Sequence, residues 1–257
     1  MNFIDAIILG IIEGLTEFLP ISSTGHMILA SALLQIQNEE FLKTFEISIQ
    51  LGTILAIVFL YARKFLMNIT IYKKLVVAFI PVAVIGFLTY KIIKTYLFNP
   101  IVVLIALIIG GIVLILIDKK VNSHSSKYRE IENISYRHAF FIGLFQSISV
   151  IPGVSRVAAT IIGGVFNGFN KKQATEFSFL LAIPTMLAAT SYDLLKTNAT
   201  LGNYELLILI LGSLVSFISA FIAVKLFIKF VEKYGFTFFG YYRIILGILF
   251  LLFFILG

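Results

Sequence analysis

Cysteine and tryptophan are absent from the 257 residues, histidine occurs only three times, proline five times, and charged residues make up just 13% of the chain. The lack of cysteine excludes disulfides and leaves the redox compartment unmarked. The scarcity of charge excludes a soluble fold, because a water-exposed domain carries about 25% Asp, Glu, Lys and Arg. What fills the chain instead is apolar: 60% of residues are hydrophobic and the mean hydropathy is +1.03. Apolar runs of about 20 residues, the length that spans a bilayer, recur from end to end. One compact, multi-pass membrane domain uses all of this length. The N-terminus does not read as a cleavable signal, since it lacks a basic start and Asp5 and Glu13 interrupt it early. The net charge of +7 does not indicate nucleic acid. The basic residues lie in pairs at the ends of apolar segments, as membrane topology requires.

Six segments read as full spans: residues 42–61, 75–95, 100–117, 174–195, 204–228 and 240–256. Two further apolar regions are interrupted. Residues 3–35 break at Pro20 to Gly25, and residues 136–168 break at Pro152 to Ser155. Each break joins a proline and a glycine to hydroxyl residues that can cap the next helix. The arms are too short to cross, so both regions are expected to be re-entrant helical hairpins. With the first hairpin entering from outside, fifteen of the 20 Lys and Arg fall on the inner side, Arg243 among them, and four on the outer side. That bias fits the positive-inside rule.

The chain also repeats itself. Gly10, Glu13, Pro20 and Ser22-Ser23, then Glu46 and Ser48, are echoed by Gly143, Gln146, Pro152 and Ser155-Arg156, then Glu176 and Ser178. Three spans per copy invert the second copy. The expected fold is therefore all-α: an inverted repeat with six transmembrane helices and two re-entrant hairpins. Repeat one covers 1–117, a polar linker 118–135 and repeat two 136–257. Such an arrangement brings the two helix breaks together near the bilayer midplane.

Polar side chains at that depth are costly and point to function. Glu13 and Glu17 stand at i, i+4 on one helix face. Their mutual repulsion favours a shared proton or a divalent cation; the plain alternative is neutralisation by Arg156 and nearby hydroxyls. Ser22, Ser23 and Thr24 open a helix, where free N–H groups and hydroxyls suit a phosphate, although capping alone also accounts for them. His26 lies one turn after Ser23, a spacing suited to nucleophilic or general-acid work. Arg156, preceded by Ser155 and followed one turn later by Thr160, offers a planar fork for phosphate oxygens, or a salt bridge to Glu13 or Glu17. Glu46 and Glu176 read as first-turn carboxylates favoured by the helix dipole. Lys225 and Lys229 read as snorkelling, and His124 and His138 as linker or surface residues.

Two motifs now stand out: Glu13-Gly14-Leu15-Thr16-Glu17-Phe18-Leu19-Pro20-Ile21-Ser22-Ser23-Thr24-Gly25-His26 and Pro152-Gly153-Val154-Ser155-Arg156-Val157-Ala158-Ala159-Thr160. They resemble the two signatures of the bacterial undecaprenyl-diphosphatase family, known for bacitracin resistance. Residues 43–52 and 176–184 resemble that family as well. One departure is Val157, where the family usually carries serine. The resemblance implies hydrolysis of undecaprenyl diphosphate, which recycles the carrier for peptidoglycan synthesis. It also implies a divalent cation (Mg2+ or Ca2+) and a cytoplasmic-membrane site opening to the outer face. Importance is implied for Glu13, Glu17, Ser23, His26, Ser155, Arg156 and Thr160. In the working assignment Glu17, Ser23, His26 and Arg156 are catalytic. Ser22, Thr24, Ser155, Arg156 and Thr160 bind phosphate, and Glu13 with Glu17 holds the cation. The partners are the polyprenyl diphosphate and membrane lipids, and a homodimer is compatible with the sequence. A transporter or flippase is the rival reading, because broken helices in inverted repeats are typical of transporters. The other class of membrane lipid phosphatase needs a histidine after its Ser-Arg pair, and none follows His138.

Overall fold

A computed structural model describes residues 1–36, 39–67, 69–97, 99–120, 126–128, 130–196 and 202–253. Among them are ten α-helices and no strand: α1 (Phe3–Thr16), α2 (Ser23–Leu33), α3 (Glu39–Met67), α4 (Ile69–Ile92), α5 (Pro100–Lys120), α6 (Tyr136–Ser147), α7 (Arg156–Phe166), α8 (Lys171–Lys196), α9 (Asn203–Tyr234) and α10 (Thr237–Leu251). Five of these, α3, α4, α5, α8 and α9, are long and apolar enough to cross a membrane. The sixth expected span, 240–256, overlaps α10, whose 15 residues rise about 22 Å; residues 254–256 of that expected span lie outside the described residues. The expected linker also begins later than residue 118. Asp118 is still helical in α5 and buried, paired with Lys171 Nζ at 2.5 Å and accepting from Thr237 N at 2.9 Å. His124 lies outside the described residues.

The two interruptions fall where proline and serine place them. α1 starts on a reciprocal cap between Asn2 and Asp5 and stops four residues before Pro20, which has no N–H to continue a helix. α2 and α7 each open on a serine with positive φ, Ser22 at 70° and Ser155 at 71°, a region that side chains with a Cβ seldom adopt. Each serine then caps its helix. Ser22 Oγ accepts from Gly25 N at 3.4 Å and Ser155 Oγ from Ala158 N at 3.2 Å. The four arms α1, α2, α6 and α7 are 14, 11, 12 and 11 residues long.

Small residues let these helices pack closely, which in lipid replaces the missing hydrophobic drive. α1 lies on α9 through Gly10 and Gly14; a methyl group at Gly14 would stand 2.5 Å from the Ser216 carbonyl oxygen. α6 lies on α4 in the same way, with a methyl at Gly143 reaching 2.0 Å from the Ala78 carbonyl. α5 and α10 cross at Gly111 and Gly240, each glycine facing the other's carbonyl oxygen. Thus α1 packs on α9 and α6 on α4, while α3 meets α8 and α5 meets α10. The outer faces are apolar. On α1, Ile4, Ile7, Ile11 and Leu15 are all exposed, a lipid-facing stripe at helical spacing. Arg243, assigned to an inner loop by the positive-inside count, is instead fully buried within α10, held by backbone carbonyls. The count fails for it because an apolar-run boundary looks the same whether the charge beside it faces water or the protein interior.

Candidate functional site

Ser23 and Arg156 directly follow the two strained serines, so they occupy the first helical positions of α2 and α7. Both reach Glu17, the residue just past α1. Ser23 Oγ donates to Glu17 Oε2 at 2.5 Å, and Arg156 Nη2 donates to Glu17 Oε1 at 3.1 Å. One carboxylate therefore bridges a hydroxyl from the first break and a guanidinium from the second. Both side chains of the ion pair are only 10% exposed. Removing one member of such a buried pair leaves an uncompensated charge that costs about 3–5 kcal/mol. Arg156 is further placed by Nη1 donating to the Ser178 carbonyl at 3.3 Å and by the Phe18 ring, 5.6 Å from Cζ. Its Nε has no hydrogen-bond partner among the described residues.

The cluster opens into a cavity of about 540 Å³. Its polar end is formed by Glu17, Ser22, Ser23, Thr24, Ser155 and Arg156, with Gln50 of α3 beside them. The remaining wall is mostly apolar, contributed by the second break, by α4 from Phe79 to Tyr90 and by α8 from Thr185 to Asp193. That stretch of α4 is about 16 Å long at 1.5 Å per residue. Tyr90 donates to Asp193 at 3.0 Å and packs edge-on against Tyr192, tying α4 to α8 along the cavity. A charged pocket that continues as a long apolar trough suits an amphiphile with an anionic head.

Not every expected residue faces this cavity. Glu13 lies buried, with Oε1 unpartnered among the described residues. Gln146, which echoes Glu13 in the sequence, also has an Oε1 unpartnered among the described residues, while its Nε2 donates to Thr185 at 2.9 Å. Thr160 does not line the cavity. Its hydroxyl lies 2.5 Å from Ser178 Oγ of α8 and 2.9 Å from the Arg156 carbonyl oxygen of its own helix. His26 does not line the cavity. Its Nδ1 lies 2.8 Å from the Ser22 carbonyl, which can only accept, so Nδ1 carries the proton. Nε2 then accepts from the Tyr242 hydroxyl at 2.7 Å, with the two rings stacked. Glu46 and Glu176 are not in first turns, since α3 begins at Glu39 and α8 at Lys171. The helix dipole, which fades within one turn, does not explain them. Lys225 lies 4.0 Å from the Phe221 ring centroid, as a snorkelling stem would. Sequence reasoning missed Gln50, Ser178, Tyr242 and Arg243. Gln50 and Ser178 had a signal: they lie in the stretches 43–52 and 176–184 that resemble the family, and Ser178 also echoes Ser48.

Metal donors are sparse. Among the described residues no three His, Cys, Asp or Glu side chains converge. The available set is two carboxylates, one of them with a buried oxygen lacking a partner. That set does not form a cage, but it fits a hard cation that shares its shell with phosphate oxygens and water, as Mg2+ does.

Fold and site together define a multi-pass, all-helical membrane protein with a polar cluster built at two helix breaks. Similarity to known proteins narrows this class. The family model described as "Bacitracin resistance protein BacA" matches residues 6–249, and the chain belongs to that family. It is 53% identical over 253 residues to the undecaprenyl-diphosphatase of Persephonella marina, covering 98% of this chain and 99% of that protein. The undecaprenyl-diphosphatase of Aquifex aeolicus is 50% identical over 254 residues, with 97% and 98% covered. That of Wolinella succinogenes is 53% identical over 251, with 98% of each covered.

Proposed function

We infer that Glu17, Ser23 and Arg156 form the centre at which this chain, an undecaprenyl-diphosphatase, hydrolyses undecaprenyl diphosphate to undecaprenyl phosphate and inorganic phosphate. The observation that carries this assignment is the bridging carboxylate, with a short hydrogen bond from Ser23 on one oxygen and Arg156 on the other. The diphosphate occupies the polar end of the cavity and the prenyl tail runs along α4 and α8. Arg156 exchanges Glu17 for phosphate oxygens when the substrate enters, aided by the N–H groups opening α2 and α7. Glu17, freed of its cationic partner, takes the Ser23 proton. Ser23 Oγ bonds to the terminal phosphorus, and undecaprenyl phosphate leaves with the electrons of the bridging P–O bond. Water then cleaves the phosphoserine, Ser23 Oγ regains a proton, and phosphate departs. Glu17 rather than His26 is the base in this scheme, because His26 Nε2 is engaged by Tyr242. Glu13 and Glu17 are the residues that would hold a divalent cation, which would neutralise charge on the phosphates.

The membrane arrangement belongs to the same reading: two inverted copies, hairpins entering from opposite leaflets, α10 as a sixth span, and a site opening to the outer face of the cytoplasmic membrane. It is supported by the reciprocal packing of α1 on α9 and α6 on α4 and by the matching serine caps. Acid quench during turnover tests the chemistry. Radiolabel from the terminal phosphate should be recovered on Ser23, and a Ser23→Ala protein should retain none. Rapid turnover with no trapped phosphoserine would favour direct attack by water and remove Ser23 as nucleophile.

A further inference from the structure

Arg243 is the largest fully buried side chain among the described residues and lies outside the cluster just described. Its guanidinium donates through all three nitrogens. Nη1 reaches the Pro20 carbonyl at 3.2 Å and the Val154 carbonyl at 2.9 Å; Nη2 reaches Gly153 at 2.9 Å and Ala106 at 2.8 Å; Nε reaches Leu107 at 3.3 Å. A guanidinium has five N–H groups, and five carbonyls accept here. Pro20 precedes Ser22 by two residues, and Gly153 and Val154 immediately precede Ser155. These are the unwound carbonyls of both helix breaks, groups that would otherwise be unsatisfied at membrane depth. No carboxylate pairs with this arginine among the described residues, so its charge adds to the positive side of the site.

The neighbourhood is shaped for it. A methyl group at Gly110 of α5 would stand 2.2 Å from Nη2, and Gly153 has φ of +91°. Only glycine leaves that volume to the guanidinium. A role confined to stabilising α10 would need one or two local acceptors. Here the acceptors come from both hairpins and α5, converging on one planar group.

We propose that Arg243 is a positioning residue for the phosphatase reaction: by joining the Pro20 carbonyl to the Gly153 and Val154 carbonyls it fixes the first break against the second, and so fixes Ser23 against Arg156. The proposal rests on the assignment of the Glu17, Ser23 and Arg156 centre. Lysine keeps the charge but has three donors on a flexible stem and no fork, so it cannot bind both breaks in one plane. Misplacement of reacting groups by about 1 Å costs on the order of 100-fold in rate.

The test uses the full chain purified in detergent, with Arg243→Lys and Gly110→Ala compared with wild type for kcat, KM and thermal midpoint, and Arg156→Ala run in parallel. Arg243→Lys should lower kcat about 100-fold per folded molecule, with KM changed less than about threefold. Gly110→Ala, which displaces the guanidinium without removing it, should lower kcat about tenfold in the same pattern. Wild-type kcat in folded Arg243→Lys overturns the proposal. If that variant does not fold, wild-type kcat in Gly110→Ala overturns it. An active Arg156→Ala protein would instead refute the underlying site assignment.

Discussion

Glu17 does the most at the residue scale, since it holds the serine and the arginine at once. Glu17→Ala and Arg156→Ala should each reduce kcat by at least 100-fold, the usual loss when a preorganised charged partner of the transition state is removed, while size-exclusion profiles remain those of a folded protein. Thr160→Val removes one neutral hydrogen bond worth about 1 kcal/mol, so its activity should fall only about fivefold; a total loss would mean that Thr160 contacts the substrate directly. The acidic pair, the hydroxyls and the arginine could be picked out in the sequence because charged and polar residues stand out against an apolar background. Their directions could not. Whether His26 faces Ser23 or Tyr242 depends on a rotamer chosen by α10, some 216 positions away along the chain. Arg243 escaped for a related reason: an arginine beside an apolar run looks interfacial until the partners of its N–H groups are known.

The breaks, more than the spans, make the site at the scale of elements. Proline stops α1, and serine restarts α2 and α7 with the same positive φ. The positions of these breaks were legible from proline, glycine and hydroxyl residues. The left-handed serines were not, because tertiary packing rather than local preference imposes that conformation. Close packing holds the arms in place. Gly14→Leu and Gly143→Leu would drive side chains into the backbones of α9 and α4, and each should lower stability by about 1–3 kcal/mol, read as a lower thermal midpoint in detergent. Unchanged midpoints would show that these interfaces are looser than the glycine contacts imply.

The absence of native cysteine makes the arrangement of the whole molecule directly testable, because every introduced thiol is unique. Single cysteines at Asn2 and Gln35, the two ends of the first hairpin, should both label from the outer face in intact cells; those at Tyr136 and Phe166 should label only after permeabilisation. Labelling of Asn2→Cys and Gln35→Cys from opposite faces would mean that the hairpin crosses. The repeat was readable from two weak sequence echoes. The packing of α1 on α9 and of α6 on α4 is a matter of tertiary contact that no spacing rule could supply.

The central claim is that phosphoanhydride hydrolysis occurs at the carboxylate bridging the two breaks. Phosphate release from undecaprenyl diphosphate by the purified protein in detergent, wild type beside Glu17→Gln, tests it most directly. With no membrane to cross, the wild type should release phosphate and Glu17→Gln should be slower by 100-fold or more. Equal rates from the two proteins would place the chemistry elsewhere.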